Sequence, residues 1–204
     1  MGTNCWLLTD EASCKTAVID PGFLSERLTD AIQAAGKIDK ILLTHGHFDH
    51  IGAADALRRS TGAPIYVMEQ DAPFLKDPEL NLSGMMGEPL APFTADLLLK
   101  DGDTISLGGI KLQTIHTPGH TIGSCCYLTD GVIFSGDTVF CGSVGRTDFP
   151  TGSGSTLLAS VKRLAALEGD YQIFPGHGEP TSLESERKSN PYFAMRDNTY
   201  DFDY

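Results

Sequence analysis

Short apolar runs separated by glycine-rich turns, rather than long amphipathic helices, set the rhythm of this chain. In its first half, Cys5–Thr9 and Ala17–Ile19 read as strands on either side of an Asp-Glu-Ala-Ser turn. Ser25 then precedes a helix predicted over Glu26–Ala35, and Gly36 stands in the usual helix-ending position. Ile41-Leu42-Leu43 is a short buried strand that runs directly into a histidine-rich segment. A helix over Ala53–Arg59, stopped by Gly62, precedes a strand over Ile65–Met68. Residues 69–95 carry four prolines and read as loop and short helix, a rim over a site.

The second half is denser in strands. Leu97–Leu99, Thr104–Leu107, Ile110–Ile115, Cys125–Thr129 and Val132–Ser135 are short apolar runs. Asp101-Gly102, Gly108-Gly109 and Asp130-Gly131 between them are hairpin signals. A helix over Ser155–Leu167, a strand over Tyr171–Phe174 and a short polar helix over Leu183–Lys188 follow. Two halves, each rich in strands and closed by helices, predict an α+β fold of two mixed sheets packed together with helices outside. No repeat or linker interrupts the 204 residues, so one domain over 1–204 is expected.

Composition narrows the classes. Apolar residues make up 41% of the chain, and no apolar run approaches the roughly 18 residues of a membrane span, so no membrane association is expected. The formal charge of −12 repels phosphate backbones and argues against nucleic acid as a partner. Met1-Gly2-Thr3 leads into ordinary sequence without a basic stretch and apolar h-region, which predicts a cytoplasmic location. The five cysteines form no CxxC pair, so neither a disulfide framework nor a zinc knuckle is expected, and Cys125-Cys126 reads as strand core.

Candidate chemistry concentrates in His45-Gly46-His47-Phe48-Asp49-His50, four potential ligands in six residues leaving a strand end. Imidazole and carboxylate together suit zinc, iron and manganese. Further ligands must come from elsewhere. His120 lies in Thr117-Pro118-Gly119-His120, His177 in Pro175-Gly176-His177-Gly178, and Asp137 in Ser135-Gly136-Asp137-Thr138. Each follows a strand-like run and sits in a glycine turn, as a site at the common edge of two sheets requires. His116, four residues before His120, reads as a residue behind a ligand or a mere strand-end residue rather than as a ligand itself.

With these pieces the chain resembles the metallo-β-lactamase superfamily, and within it the small glyoxalase II-like (hydroxyacylglutathione hydrolase-like) proteins. The matching segments are Ala17-Val-Ile-Asp20-Pro-Gly22, Thr44-His-Gly-His-Phe-Asp-His50, His116-Thr-Pro-Gly-His120-Thr, Phe134-Ser-Gly-Asp137-Thr, Gly145-Arg-Thr-Asp-Phe149 and Phe174-Pro-Gly-His177-Gly. The resemblance implies an αββα sandwich. It also implies two divalent metal ions, zinc first and iron or manganese as alternatives. One would be held by His45, His47 and His120, the other by Asp49, His50 and His177, with Asp137 bridging. Asp20 would stand behind a metal-binding histidine, with turn capping as the competing role. Arg146 would contact the glutathione part of a substrate, with a surface salt bridge as the competing role.

The implied activity is hydrolysis of S-acylglutathione or a similar small thioester through a metal-bridging hydroxide, with Asp49 orienting the nucleophile. Full-length glyoxalase II enzymes carry a C-terminal helical domain that this sequence lacks, so glutathione specificity is the weaker part of the implication. Two other readings use the same residues. One is a persulfide dioxygenase with a single iron on His45, His120 and Asp137; the other is a lactonase or phosphodiesterase using the metal pair.

Overall fold

Alternation along each strand builds four layers. The computed structural model describes residues 2–87 and 89–195, so the acidic, aromatic tail 196–204 lies outside the described residues. One sheet orders its strands β1 (Trp6–Asp10), β2 (Lys15–Ile19), β3 (Lys37–Leu42), β4 (Ile65–Met68) and β5 (Leu97–Leu99); β1 runs antiparallel to β2 and the others pair in parallel. The other contains β6 (Thr104–Leu107), β7 (Ile110–His116), β8 (Cys125–Thr129), β9 (Val132–Gly136), β12 (Gln172–Pro175) and β13 (Thr181–Ser182), in the order β13-β12-β9-β8-β7-β6. Its β12–β9 pair is parallel, so both sheets are mixed. Strands β10 (Val139–Phe140) and β11 (Ser143–Val144) form a separate small hairpin.

Side chains on successive residues point to opposite faces of a sheet. Ala17, Ile19 and Leu42 therefore meet Leu112, Tyr127 and Phe134 between the sheets. Val18, Ile41 and Leu43 face outward onto Leu57 of α3 (Ala54–Thr61) and Ile32 of α1 (Glu26–Ala35). On the far side, Ile115, Cys126 and Ile133 pack on Leu157, Val161 and Leu164 of α4 (Gly154–Ala165) and on Leu183 of α5 (Leu183–Ser189). This is the αββα sandwich. The two layers are also tied by a buried bond, with the Tyr127 hydroxyl donating to the Leu43 carbonyl at 2.7 Å.

Local chemistry explains the boundaries. Ser25 caps α1 by accepting from the Leu28 amide, and Gly36 ends it at φ 78°. Two features differ from the sequence-based expectation. A one-turn helix, α2 (Phe48–Ile51), forms inside the histidine-rich segment. The hairpin β10–β11, strand β13 and helix α6 (Pro191–Ala194) are additional, each too short for periodicity to register. The loop and short helix expected within 69–95 are present, the helices being 3-10 segments, Glu69–Leu75 and Ser83–Met86. Cys125 and Cys126 are buried core residues, as expected, and all five cysteines are free. Among the described residues no helix is long and apolar enough to cross a membrane.

Candidate metal centre

The strand ends of both sheets converge on one cleft. The turn after β3 carries His45, His47, Asp49 and His50; the turns after β7, β9 and β12 carry His120, Asp137 and His177. Ligand-type atoms of His45, His47 and His120 lie within 4.8 Å of one another, and so do those of Asp49, His50 and His177. Asp137 reaches both groups. Its carboxylate lies 3.4 Å from His120 Nε2, 3.4 Å from His50 Nε2 and 3.5 Å from His177 Nε2. All seven residues predicted as ligands are therefore brought together, six of them buried and His177 about one-third exposed.

What stands behind each ring fixes which nitrogen faces the cleft. The His120 Nδ1–H donates to the Arg146 carbonyl at 2.7 Å, and the His177 Nδ1–H to the Gly2 carbonyl at 3.2 Å. Carbonyl oxygens only accept, so these tautomers follow from the partners. His50 Nδ1 donates to Asp20 Oδ2 at 2.9 Å. The Thr44 hydroxyl donates to the same oxygen at 2.6 Å, leaving Thr44 Oγ1 to accept from His45 Nδ1 at 3.1 Å. In these four rings Nδ1 is taken up by its partner, and Nε2 is the nitrogen turned inward. His47 differs, presenting Nδ1 2.9 Å from His120 Nε2. Asp20 is accordingly a hub and not a turn cap: besides His50 and the Thr44 hydroxyl it accepts from the Thr44 amide at 2.7 Å. It does so from a left-handed backbone (φ 51°), a conformation uncommon outside glycine. Although Asp20 also lies close to His45 and His50, its oxygens are consumed by these three donors.

Burial sets the charge state. Desolvation holds His45 well below its ordinary value and His47 down to about 2, with neighbouring imidazoles adding to the effect. His120 is lowered, again chiefly by burial. His50 is pushed up to about 9: burial opposes its charge, but Asp137, Asp20 and Asp49 outweigh it. Burial would raise Asp49, yet His177, His50 and the Thr3 hydroxyl hold it well below the carboxylate range. Asp49 is thus ionised at neutral pH.

Glycine allows this crowding. A Cβ on Gly176 would stand 2.2 Å from Asp137 Oδ1 and 2.6 Å from His50 Cε1, and one on Gly46 would stand 2.3 Å from Phe74 Cβ. His116 lies outside the cluster, donating from Nε2 to the Ile122 carbonyl at 2.9 Å.

Three contributors escape a reading of the sequence. Thr3 donates to Asp49 Oδ2 at 2.9 Å, and the Asn4 amide donates to the Gly176 carbonyl at 2.7 Å, so the N-terminal segment clamps the His177 turn. Thr44 relays between Asp20 and His45. Asp71, fully buried, accepts from the Gly46 amide at 2.9 Å, the Gly123 amide at 2.7 Å and the Thr121 hydroxyl at 2.7 Å. It therefore locks the His45–His47 turn to the His120 turn. Only the Thr next to a ligand histidine gave any hint; Asp71 is one acidic residue among 27.

The cleft above the cluster has a volume of about 460 Å³. Arg146 stands at its rim, pairing with Asp148 (Nε to Oδ1 2.6 Å) and lying 4.1 Å over the Phe149 ring.

The family model described as the metallo-beta-lactamase superfamily matches residues 1–177. The chain belongs to that superfamily. Hydroxyacylglutathione hydrolase GloC of Haemophilus influenzae is 36% identical to it, over 95% of this chain and 93% of that protein. Among solved structures, the BLEG-1 B3 metallo-β-lactamase superposes with a TM-score of 0.89 at 35% identity, covering 95% of both chains. A second, solved in a di-iron-bound form, has a TM-score of 0.82 at 34% identity, covering 94% of this chain and 97% of that one. The superfamily's general chemistry, metal-dependent hydrolysis, agrees with the donor set here. The buried His45 Nε2 and Asp137 Oδ1 have no hydrogen-bond partner among the described residues, as atoms facing a cation would be left. Imidazole nitrogens and carboxylates converging on one cleft fit divalent metal.

Proposed function

We propose that the protein is a binuclear metal-dependent thioester hydrolase of the glyoxalase II-like kind, cleaving S-acylglutathione or a similar small thioester. The observation that carries this reading is Asp137, whose carboxylate meets both ligand groups at once. His45, His47 and His120 would hold one divalent ion and Asp49, His50 and His177 the other, zinc being the first choice. Such a pair supplies hydroxide at neutral pH and polarises a carbonyl.

The remaining work falls to the chain's own residues. The Asp49 carboxylate, ionised and anchored by Thr3, orients the attacking water. Asp20, Thr44 and the carbonyls of Arg146 and Gly2 engage Nδ1 and so aim the Nε2 atoms of His50, His45, His120 and His177 into the cleft, where they would meet metal. Arg146 offers the thiol half of the substrate a cation at the rim. A thiolate departs with little need of a proton, which agrees with the lack of a dedicated acid in the proposed set.

The test is a panel of thioesters, lactones and phosphodiesters assayed with metal-quantified protein. Thioesters turning over fastest, with two divalent ions per chain, is the expected result. His47→Ala and Asp137→Ala should each lower bound metal and hydrolysis together; activity surviving after metal is lost would sink the mechanism. One iron per chain with oxygen uptake on glutathione persulfide would replace it with the dioxygenase reading.

A further inference from the structure

The cleft over the metal centre is mostly greasy. Of its fourteen lining residues, five belong to the His/Asp cluster; of the other nine, seven are apolar and only Ser143 and Arg146 are polar. Two of the seven, Met85 and Met86, are 73% and 56% exposed on the 3-10 segment Ser83–Met86, where unbranched thioether side chains form an adaptable rim. Phe48, Leu82, Phe140 of β10, Val144 and Phe149 complete the apolar lining; the Phe140 ring lies against His177 and the Phe149 ring against His47.

Glutathione offers two carboxylates, an ammonium and two peptide groups, and each needs a polar partner when it is desolvated. The wall offers a hydroxyl and one guanidinium, and that guanidinium already pairs with Asp148. An alkyl or aryl group, by contrast, finds apolar partners around the cleft, beside the His/Asp cluster that lines its remainder. We infer that the cleft recognises its substrate chiefly through an apolar acyl group of several carbons, the thiol half adding no more than the Arg146 contact at the rim. Met85, Met86 and Phe149 form the chain-binding wall. This deepens the thioesterase reading and rests on it for the chemistry, though not for binding.

Two measurements separate the parts. The first is calorimetric binding of S-ethyl to S-octyl thioethers of N-acetylcysteamine, which carry no thioester bond to cleave. Affinity should rise up to about fourfold per added methylene, equivalent to about 0.8 kcal/mol. A negative heat-capacity change should grow with chain length. The second is hydrolysis of the matching acetyl to octanoyl thioesters, in which kcat/KM should climb in parallel. In the double variant Met85→Ser/Met86→Ser, the octyl-to-ethyl affinity ratio should fall at least tenfold; these exposed side chains are no part of the core. Equal affinity along the series, or an unchanged ratio in the variant, overturns the inference. A binding slope without thioester hydrolysis overturns the thioesterase reading alone.

Discussion

Replacing Asp71 tests whether a buried carboxylate, rather than the ligands alone, holds the two halves of the centre in register. In Asp71→Ala the amides of Gly46 and Gly123 lose their acceptor inside the protein, whereas Thr121 keeps the Ser124 hydroxyl at 2.8 Å. Two orphaned amides cost about 1–3 kcal/mol each, and loss of Asp71's own buried charge offsets part of that, leaving about 3 kcal/mol. Asp71→Asn is the sharper probe. Burial pushes Asp71 from 3.8 up to about 6 against the pull of Thr121 and the two amides. A carboxyl raised on folding stabilises fully below its unfolded value and loses that contribution as pH climbs through its folded value. At about 1.4 kcal/mol per pH unit the loss is about 3 kcal/mol, of which about 2 falls between pH 4.5 and 7.5. Asparagine does not titrate. Urea unfolding of both proteins in chelator should therefore show the Asp71→Asn penalty shrinking by about 2 kcal/mol from pH 4.5 to 7.5. A penalty that grows with pH would refute the reasoning, because it would mean that the three donors outweigh burial. In metal-competition assays the same variant should hold divalent ions about 10–100-fold more weakly, through displacement of the Gly46 and Thr121 turns.

Asp20→Asn should weaken metal retention by about 10–100-fold with little change in secondary structure, since it unseats His50 and Thr44 together; retention at wild-type level would leave Asp20 a mere turn residue. Gly176→Ala drives a methyl into Asp137 and His50, so bound metal should fall while far-UV circular dichroism is preserved, and full metal content would contradict the packing. Arg146→Ala should raise KM for S-lactoylglutathione more than for a small uncharged thioester, and an equal rise for both would remove its proposed contact with the thiol half.

Much of this was legible in the chain because its pattern is local. Ala17-Val18-Ile19 and Cys125-Cys126-Tyr127 alternate between layers, and hairpin dipeptides mark the turns around β6 to β9. The ligand-type residues were legible because each follows a strand run in a glycine turn. Asp71, Thr3 and the Gly2 carbonyl were not, because their roles exist only across sequence separations of 25 to 175 residues. Two-residue strands such as β10 and β11 carry no periodicity at all, yet they set one wall of the cleft.

The convergence of two sheets on one cleft has a consequence for assembly. The first sheet contributes His45, His47, Asp49 and His50; the second contributes His120, Asp137 and His177. Neither sheet owns a complete set, and Asp137 of the second sheet meets both ligand groups. Tight cation capture then reports that the sandwich has closed in correct register, because a slipped or half-folded chain offers only fragments of the coordination. The centre doubles as a proofreading latch: under this reading a nascent chain becomes active only after its penultimate strand, β12, delivers His177. Chelation should accordingly loosen the seam between the sheets before it loosens either sheet.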